Sequence, residues 1–503
     1  MSKTGRADET AALHRLSMES LPTLPKEVAR PSYDRAAVSP GIVHLGLGAF
    51  CRAHLSVYTD DILAAGATDW GIVGVDLLSP AIRDALKPQD CLYSVFSRQA
   101  GGDQLRVVGS MLDALALPDD LGRAFSLMIA PTTRIVTLTV TEKGYCQDAA
   151  TGALDENNPA IKADIANPSA PRTVPGVLTE AIRLRRAAGV APFTVLVCDN
   201  LAQNGATARR IVVRFAELID PELSRFIAEN IAFPCTMVDR ITPATRDEDR
   251  AAIANGFGIE DAWPVVCEPF RQWVIEDNFP LGRPRWEDVG ALLVKDVHPF
   301  ELMKLRCLNG AHSTLAYLSV AAGIETIAEA MGDADLNAVV HRLWKEDLIP
   351  TLPPVPGTDV TAYTAALEER FLNPGVRHRT LQISSDGSQK LPPRLLEPAL
   401  SRLQAGALPQ AIVLAVAAWM RFTTGVNERQ ESYDIADPMA ARLRAIGERN
   451  GHDAKRLAGE LFAIADIFPP ELLGYSAFRD AVEKTLHSLL TKGVRPTLKT
   501  FLG

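Results

Sequence analysis

Three polar side chains within one short segment could carry out proton transfer together. Lys304, Asn309 and His312 lie where the apolar spacing predicts a helix over 299–322. In a regular α-helix they fall at roughly 0°, 140° and 80° around the axis and share one broad face. A partly desolvated lysine has a lowered pKa and can exchange a proton near neutral pH, an asparagine amide can donate to an oxyanion, and a histidine can orient a substrate hydroxyl. The alternative is an ordinary helix with Lys304 at the surface and a local irregularity at Asn309-Gly310.

A glycine turn near the N-terminus could bind a phosphate. The segment 41–50 predicts a buried strand that runs into a turn containing Gly46 and Gly48, followed by helical spacing. In that context backbone N–H groups and a helix dipole can meet a pyrophosphate, and the Arg52 guanidinium could pair with it. The third glycine of the dinucleotide-binding pattern would fall at Cys51, so the pattern is incomplete. An ordinary strand-to-helix turn would account for the same residues.

Two strand ends carry polar side chains where ligands bind in parallel sheets. Asp76 ends the predicted strand 70–76 and could accept hydrogen bonds from the adenosine ribose hydroxyls. That would favour NAD over NADP, because a 2′-phosphate would face a carboxylate. Asn200 follows the predicted strand 193–198 and could supply a second oxyanion donor. In both cases the alternative is a side chain that caps the following helix.

The order of the predicted elements indicates an α/β protein with two main domains. Short apolar strands separated by helical stretches are typical of a doubly wound, Rossmann-type sheet. After about Asp296 strand-like runs give way to amphipathic helical segments, which predicts an all-helical C-terminal domain. The first thirty residues are interpreted as a frayed or helical extension, and the proline-rich stretch 157–175 as a surface loop. The predicted domains are an N-terminal extension (1–40), a dinucleotide-binding domain (41–293) and a helical substrate and catalytic domain (294–503). The predicted strands are 41–50, 70–76, 134–140 and 193–198, and the predicted helices are 52–65, 299–322, 324–331, 335–347, 362–371, 393–404, 409–422, 438–449, 454–467 and 476–491.

The composition argues against several classes of partner. The chain of 503 residues has a formal net charge of −9 and no clustered stripe of Lys and Arg, which argues against nucleic acid. Its longest apolar run, 407–417, is shorter than the roughly 20 residues that a membrane span needs, and the N-terminus lacks the apolar core of a signal peptide. Seven singly placed cysteines indicate reduced thiols in a cytoplasmic protein. The nine histidines form no HxxxH or HxH pair, so no metal site is predicted.

Several separate motifs together resemble the long-chain mannitol dehydrogenase family, the polyol-specific long-chain dehydrogenases. The resemblance extends over about 40–500, and its most specific part is the spacing Lys304-x4-Asn309-x2-His312. One departure is Cys51, where many members have histidine. The other motifs, in chain order, are Gly46-x-Gly48-x-Phe50-x-Arg52-Ala53-His54, Cys198-Asp199-Asn200-x3-Asn204-Gly205, Met237-Val-Asp239-Arg240-Ile241 and Cys267-Glu-Pro-Phe270.

The resemblance implies a metal-free dehydrogenase with its active site between a Rossmann-type and a helical domain. Lys304 is then the general acid/base, and Asn200 and Asn309 form the oxyanion hole. His312 holds a neighbouring substrate hydroxyl, and Glu142 provides a proton path beside Lys304.

The resemblance also assigns residues to the two ligands. Asp239 would bind the substrate. The cofactor would be NAD, with NADP less favoured, and its binding residues would be Gly46, Gly48, Phe50, Arg52 and Asp76.

Positively charged residues indicate the substrate within this family, whose members act on mannitol, arabinitol or the acids mannonate and altronate. Arg271 and the run 377–390 look similar to fructuronate reductases, also called mannonate oxidoreductases. A cationic cluster of Lys143, Arg379 and Lys390 would bind the carboxylate of a uronate by charge-assisted hydrogen bonds. Each arginine alone could instead be a surface or ion-pair residue.

Two other hypotheses stay open. The segments 262–267 and 353–359 look more like mannitol 2-dehydrogenases, which interconvert mannitol and fructose. A non-catalytic sugar or dinucleotide sensor on the same fold is the third possibility, and the combination of Lys304, Asn309 and His312 with Asn200 disfavours it. The favoured hypothesis is an NAD-dependent D-mannonate and D-fructuronate oxidoreductase. Its partner would be a small sugar acid or polyol, and the chain would act as a monomer or small homo-oligomer.

Overall fold

The chain folds into two units in the computed structural model, which describes residues 13–99, 101–148 and 151–503. One unit extends to Val297, and the other is His298–Gly503. The first contains sheets flanked by helices and the second is helical. The predicted fold class, a Rossmann-type α/β domain followed by a helical domain, is confirmed.

Short strands and helices alternate along most of the first unit, as the sequence pattern predicts. Its strands in the described ranges are β1 (His14–Arg15), β2 (Pro40–Leu45), β3 (Gly71–Asp76), β4 (Tyr93–Ser97), β5 (Gln104–Val108), β6 (Met111–Ala116), β7 (Ile135–Leu138), β8 (Thr194–Val197), β9 (Thr236–Asp239), β10 (Ile259–Glu260), β11 (Val265–Cys267), β12 (Gln272–Glu276) and β13 (Leu292–Val294). Its α-helices are Ala49–Ala53, Leu55–Ala64, Ala81–Leu86, Leu117–Ile129, Thr141–Gly144, Pro159–Ala166, Val174–Ala187, Asn204–Glu217, Pro221–Asn230 and Asp247–Phe257.

A five-stranded parallel sheet in the order β6-β3-β2-β7-β8 forms the centre of this unit. The strands are short runs of β-branched and small residues, almost all of them buried, as expected when helices cover both faces. Because β2 lies in the middle, the turn that follows it opens at the carboxyl edge of the sheet, next to the ends of β3 and β7. This is the edge at which doubly wound sheets bind ligands.

Two smaller sheets, in the orders β11-β4-β5 and β13-β12-β9, are absent from the sequence prediction. Each contains one pairing between strands that are distant in the chain, β11 with β4 and β12 with β9, and no local pattern specifies such a pairing. The antiparallel pairing of β12 with β9 places Asp239 opposite Gln272. One of the predicted substrate residues thus lies at the end of a strand that the sequence pattern does not reveal.

The N-terminal segment differs from the predicted frayed or helical extension. Strand β1 pairs in parallel with β10. Four apolar side chains that follow β1 are buried in a core cluster with side chains of β4, β5 and β11. Each burial is worth about 1.5–3 kcal/mol, which offsets the entropy of ordering the segment. These side chains are Leu16, Leu21, Leu24 and Val28, and residues 1–12 lie outside the described ranges.

The proline-rich stretch 157–175 also differs from the predicted surface loop. It contains the helix Pro159–Ala166, and the helix Val174–Ala187 begins within it. The Asn158 side chain accepts a hydrogen bond from the Ala160 N–H, and Pro159 takes a first-turn position where a backbone N–H is not needed. The prolines here mark the starts of helices.

The second unit consists of helices, with no β-strand among residues 298–503, all of which the structure describes. Three of its helical stretches are π-helical turns: Lys304–Gly310, Leu343–Leu348 and Pro392–Leu396. Its α-helices are His298–Met303, Ala311–Ala322, Ile327–Gly332, Ala334–Arg342, Val360–Phe371, Thr380–Ile383, Gly387–Leu391, Glu397–Gln404, Gln410–Phe422, Ala440–Asn450, Ala454–Phe462, Pro470–Leu473, Ser476–Thr491 and Val494–Leu502.

The apolar run noted in the sequence at 407–417 overlaps the helix Gln410–Phe422, almost all of whose side chains are buried in the second unit. In the part of the chain that the structure describes, every helix is too short or too polar to cross a membrane.

A buried carboxylate gives the helical unit a predictable pH dependence. Asp347 Oδ2 accepts hydrogen bonds from the Ala411 and Ile412 N–H groups, at 2.8 and 2.9 Å, at the start of the helix Gln410–Phe422. Burial raises the pKa of Asp347 to about 6, although those N–H groups lower it. The folded state therefore holds this proton more tightly than the unfolded chain, where the pKa is about 3.9, and its stability falls by about 3 kcal/mol as the pH rises from about 4 to about 6.

Asp347→Asn should remove this contribution, because the amide does not titrate. The free energy of unfolding, measured by urea denaturation between about pH 4 and pH 7, should fall by about 3 kcal/mol more in the wild type than in the variant. A difference between the two proteins that stays constant over this range would contradict the raised pKa.

Candidate active site

The glycine turn after β2 has a backbone that a side chain would disrupt. Gly46 has φ +95°, and a Cβ at this position would lie 2.1 Å from the Thr139 carbonyl oxygen. Around Gly48 there is space instead, since a Cβ there would have its nearest neighbour at 3.9 Å. The helix Ala49–Ala53 starts directly after the turn. A narrow turn beside open space, at the start of a helix, fits the pyrophosphate of a dinucleotide.

A buried histidine that the sequence analysis does not single out braces this turn. His44 Nε2 contacts the Gly46 carbonyl oxygen at 3.0 Å and Thr139 Oγ1 at 2.9 Å, while Nδ1 lies 2.7 Å from Thr137 Oγ1. Burial lowers the pKa of His44 to about 4, so the ring is neutral at physiological pH. The signal for such a role is a histidine within an otherwise apolar strand.

Arg52 is buried beside the turn, and the structure gives it contacts with the protein backbone. Its side chain is buried, and its guanidinium donates to the Gly48 and Trp263 carbonyl oxygens, at 3.2 and 2.5 Å, and lies over the Tyr93 ring. These two hydrogen bonds brace the turn and use two of the five N–H donors of the guanidinium, and the pairing of Arg52 with a phosphate stays a prediction. Phe50, from the same motif, stacks on His54 with ring centroids 4.9 Å apart.

Asp76 stands at the end of β3, as predicted, and one of its oxygens is already in use. Oδ1 accepts hydrogen bonds from the backbone N–H groups of Leu78 and Ser79, at 2.9 and 3.0 Å. The alternative interpretation, a carboxylate that orders the following loop, therefore accounts for that oxygen. The contact of Asp76 with a ribose stays a prediction.

Asp199 ties together the loops that follow β7 and β8. Its carboxylate accepts hydrogen bonds from the N–H groups of Val140 and Thr141, both at 3.0 Å, and from the Tyr145 hydroxyl at 2.7 Å. Burial raises the pKa of Asp199, and these donors lower it. These hydrogen bonds hold the end of β7 and the end of β8 at a fixed position relative to each other. Their exposed side chains include the predicted site residues Glu142, Lys143 and Asn200.

Asn204 links the end of β8 to β9. Its Nδ2 donates to the carbonyl oxygens of Asp199 and Thr236, at 3.0 and 2.9 Å, and its Oδ1 accepts from the N–H groups of Gly205 and Thr236. Asp239, the last residue of β9, is 4% exposed. The structure therefore brings Asn200 and Asp239 onto connected strand ends of the same unit.

In the second unit, Lys304 and Asn309 lie on a π-helical turn. The predicted regular helix over 299–322 is wrong in this detail, so the angles of 0°, 140° and 80° do not apply. Lys304 is 9% exposed and His312 is 5% exposed, so the alternative of a surface lysine is also wrong. Of the three predicted catalytic residues in this segment, Lys304 and His312 are thus buried and Asn309 is half-buried.

His312 is held among aromatic and cationic side chains. Its ring stacks on Phe371 at 4.3 Å and lies edge-on to His378 at 5.2 Å. Burial, with the charges of His378, Arg370 and Arg394, lowers the pKa of His312 well below its usual range. Within the described residues, its buried Nε2 has no hydrogen-bond partner. A neutral imidazole with one unused nitrogen can accept or donate a single hydrogen bond to a ligand hydroxyl.

Two of the three cationic residues predicted to bind a carboxylate, Arg379 and Lys390, belong to this unit. Burial and the Lys390 charge lower the pKa of His378, which comes to about 4. The Lys390 ammonium donates to Ser385 Oγ at 3.1 Å. Arg379 directly precedes the helix Thr380–Ile383, and its side chain is exposed. Lys143 belongs to the first unit.

The sequence analysis did not identify two arginines that lie near His312. Arg394 donates to the Asn309 carbonyl oxygen at 3.4 Å and to Ser313 Oγ at 3.1 Å, and Arg370 adds its charge. Their signal in the sequence is faint, because arginines on helices are usually at the surface. Arg271 is part of the sequence likeness to fructuronate reductases. In the structure its guanidinium pairs with Asp61 at 2.7 Å and lies over the Tyr58 ring, so it is an ion-pair residue.

Residues 40–288 match the mannitol dehydrogenase Rossmann domain, and residues 296–490 match the mannitol dehydrogenase C-terminal domain. The chain belongs to the mannitol dehydrogenase family. The family resemblance drawn from the motifs is thereby confirmed. Among the described residues, no group of three or more His, Cys, Asp or Glu side chains is placed to hold a metal ion.

The relatives that are similar to this chain are named for different substrates. D-mannonate oxidoreductase of Escherichia coli (strain K12) is 46% identical over 473 residues, which cover 93% of this chain and 97% of that protein. Mannitol 2-dehydrogenase of Cereibacter sphaeroides is 40% identical over 481 residues, which cover 95% and 99%. The solved structure of Pseudomonas fluorescens mannitol 2-dehydrogenase, a ternary complex with NAD and D-mannitol, has a TM-score of 0.88 at 39% identity and covers 97% of this chain and 99% of that one. The chain is therefore a nicotinamide-dependent dehydrogenase of secondary alcohols.

Proposed function

We propose that this enzyme interconverts D-mannonate and D-fructuronate with NAD(H). In the reducing direction, a hydride from the bound nicotinamide adds to the ketone carbon and a proton adds to the ketone oxygen. In the oxidising direction the alcohol carbon gives the hydride back to the nicotinamide, and the hydroxyl gives up the proton. The 46% identity to a D-mannonate oxidoreductase supports this choice within the family.

Lys304 is the proposed general acid/base. As an ammonium it donates the proton to the ketone oxygen, and as an amine it takes the proton back from the alcohol. Asn200 and Asn309 donate hydrogen bonds to that same oxygen, where negative charge develops. Glu142 relays the proton between Lys304 and solvent, and its exposure in the first unit is consistent with access to water.

Two residues are proposed to orient the sugar chain. His312 binds a hydroxyl next to the reacting carbon, which would engage its unused Nε2. Asp239 binds a second hydroxyl through its carboxylate. Both side chains are almost fully buried, so a hydrogen bond made there is not weakened by competition with water.

NAD is the proposed cofactor, with NADP less favoured. Gly46 and Gly48 would let the pyrophosphate approach the turn, and Phe50 would flank it. Asp76 would repel a 2′-phosphate, although its Oδ1 also orders a loop. Arg52 would pair with the pyrophosphate through its remaining N–H donors, while two of its donors brace the turn.

The field around His312 is the single observation that carries the choice of an acidic substrate. The groups near His312 that stay charged at neutral pH are two arginines, Arg370 and Arg394, whereas His378 is neutral there because its pKa is about 4. Lys390 in turn acts on His378. A positive field beside a hydroxyl-binding histidine favours a substrate with a carboxylate at its far end over a neutral polyol. Lys143 and Arg379 are proposed as further contacts to that carboxylate.

We further propose the functional domains 41–293 for the dinucleotide and 294–503 for substrate and catalysis. The site of action would be the cytoplasm, where the seven cysteines would persist as the thiols seen in the structure. The expected partners are the small-molecule ligands, and the chain would act as a monomer or a small homo-oligomer.

Steady-state kinetics with D-fructuronate and D-fructose at saturating NADH should show a higher kcat/KM for fructuronate. Lys390→Met should lower that kcat/KM by about 10- to 100-fold, since a hydrogen bond to a charged group is worth about 1.5–3 kcal/mol. The kcat/KM for fructose should not fall, because fructose has no carboxylate.

Lys345→Met is the matched control, because Lys345 is an exposed lysine of the same unit. It should leave both substrates unaffected. Preference for fructose in the wild type, or an equal loss on both substrates in Lys390→Met, would overturn the acidic substrate.

Interconversion of D-mannitol and D-fructose is the second candidate, with the same catalytic residues. It is favoured by the TM-score of 0.88 to a mannitol 2-dehydrogenase solved with D-mannitol. The kinetic comparison above separates the two candidates directly.

A further inference from the structure

The helix that carries Lys304 and Asn309 departs from α-helical geometry between two regular stretches. Helix His298–Met303 leads into the π-turn Lys304–Gly310, and the turn leads into helix Ala311–Ala322. In a π-turn the backbone bonds span five residues instead of four, an arrangement that is rare and frequent at functional sites. Such a turn persists only if neighbouring groups compensate its altered backbone bonding.

The altered register changes which side chains share a face of the helix. Lys304 and Asn309 are five residues apart, so in a regular α-helix they would differ by about 140° around the axis. A turn closed by i→i+5 bonds contains more residues, so each residue advances less and the separation falls to roughly 90° or below. The π-turn therefore brings the lysine and the amide toward one side. One substrate oxygen can contact both groups only if they share a side.

A buried N–H donor from another helix forms a hydrogen bond with a backbone carbonyl in the middle of this turn. The Trp344 indole Nε1 donates to the Cys307 carbonyl oxygen at 2.7 Å, and both residues are 2% exposed or less. Trp344 belongs to a second π-turn, Leu343–Leu348, that packs against the first. Leaving a buried carbonyl without its donor costs about 1–3 kcal/mol, so this bond favours the register that points the Cys307 carbonyl at Trp344.

The end of the turn is closely packed as well. A Cβ at Gly310 would lie 3.2 Å from the Arg394 carbonyl oxygen, in the third π-turn, and 3.4 Å from Leu348 Cδ1. The backbone at Gly310 therefore has little room to move. If the Cys307 carbonyl loses its donor, the resulting change of register has to occur in the segment that holds Lys304 and Asn309.

We propose that Trp344 is a positioning residue whose indole N–H holds the π-turn and thereby sets the placement of Lys304 and Asn309. The proposal rests on the catalytic roles given above for those two residues. Trp344 acts through the backbone of Cys307 and needs no contact with either substrate.

Trp344→Phe keeps an aromatic ring but removes the N–H. Its kcat should fall by about 10- to 100-fold, since a displacement of about 1 Å at the reacting groups can cost that much. The KM for the ketone and the Kd for NADH should change little, and the pH profile of kcat should shift because Lys304 has new surroundings. Steady-state kinetics over a range of pH and fluorescence titration with NADH measure these quantities.

Trp419→Phe is the matched control. Trp419 is also buried in the helical unit but packs against Phe468, and the same substitution there should leave kcat and its pH profile unchanged. If Trp344→Phe gives no cooperative unfolding transition, the same kinetics are run with the isosteric tryptophan analogue in which sulfur replaces the indole N–H at position 344. That analogue keeps the volume and removes only the donor.

A normal kcat and pH profile in Trp344→Phe or in the analogue would overturn the proposal, as would an equal loss in Trp419→Phe. The assay with Lys304→Ala separates this failure from failure of the proposed function. If Lys304→Ala is inactive while Trp344→Phe is normal, only the positioning role is refuted. If Lys304→Ala is active, the catalytic roles themselves are wrong.

Discussion

Lys304→Ala is expected to lower kcat by about 10²- to 10⁴-fold in both directions, the range typical for loss of a general acid/base. Without the ammonium, the ketone oxygen has no positioned proton source while hydride adds to the neighbouring carbon. The oxyanion donors remain, so a residual rate above that of the uncatalysed reaction is expected. Steady-state kinetics with saturating ketone and NADH measure this loss.

The same variant should bind NADH with an unchanged Kd, because Lys304 lies in the helical unit and the residues proposed to bind the cofactor lie in the first. Fluorescence titration tests this directly. Small alkylammonium ions added to the assay should restore part of the turnover, since they can replace the missing proton donor. Lys345→Ala, at an exposed position of the same unit, is the control and should be fully active. Near-normal turnover in Lys304→Ala would overturn the proposed mechanism.

Gly46→Ala is expected to destabilise the first unit and to abolish cofactor binding. The residue has φ +95°, and its Cβ would lie 2.1 Å from the Thr139 carbonyl oxygen, within the backbone of the loop after β7. The strained backbone costs about 1–3 kcal/mol and the steric overlap about as much again, so thermal unfolding should shift down by roughly 5 °C or more. His44 and Thr139, which hold the Gly46 carbonyl, would be displaced with the turn.

Gly48→Ala separates the fold of the turn from its contact with the cofactor. A Cβ at Gly48 meets nothing closer than 3.9 Å, so the melting temperature should stay at the wild-type value. The Kd for NADH should nevertheless rise, because the methyl group would occupy the space proposed for the pyrophosphate. Both quantities follow from thermal melts and NADH titrations of the two variants. A wild-type melting temperature in Gly46→Ala would refute the steric argument.

Local patterns were sufficient for the main elements of the fold. The strands 70–76, 134–140 and 193–198 are β-branched runs whose burial shows in their composition, and they occur in the sheet as β3, β7 and β8. The failures are at β1 and in the small sheets, where the pairings of β1 with β10, β4 with β11 and β9 with β12 join strands that are distant in sequence. Prolines at 157–175 were misinterpreted because the same residue type starts helices and occupies loops.

For the site, the sequence by itself determined which chemical groups are available and that they follow strands or share a helix. Gly46, Asn200, Lys304, Asn309 and His312 were identified in this way, because residue type and short spacing are local properties. Their catalytic roles stay predictions until the variants are measured.

Only the tertiary structure decided how these groups are held. Lys304 is buried on a π-turn, and the Cys307 carbonyl oxygen in that turn accepts a hydrogen bond from Trp344, which is distant in the sequence. The Arg52 guanidinium braces the turn by donating to the Gly48 carbonyl oxygen and to the carbonyl oxygen of the distant Trp263. Helix register, side-chain burial and electrostatic field depend on contacts between residues that are far apart in the chain, and a pattern within one segment carries no information about them.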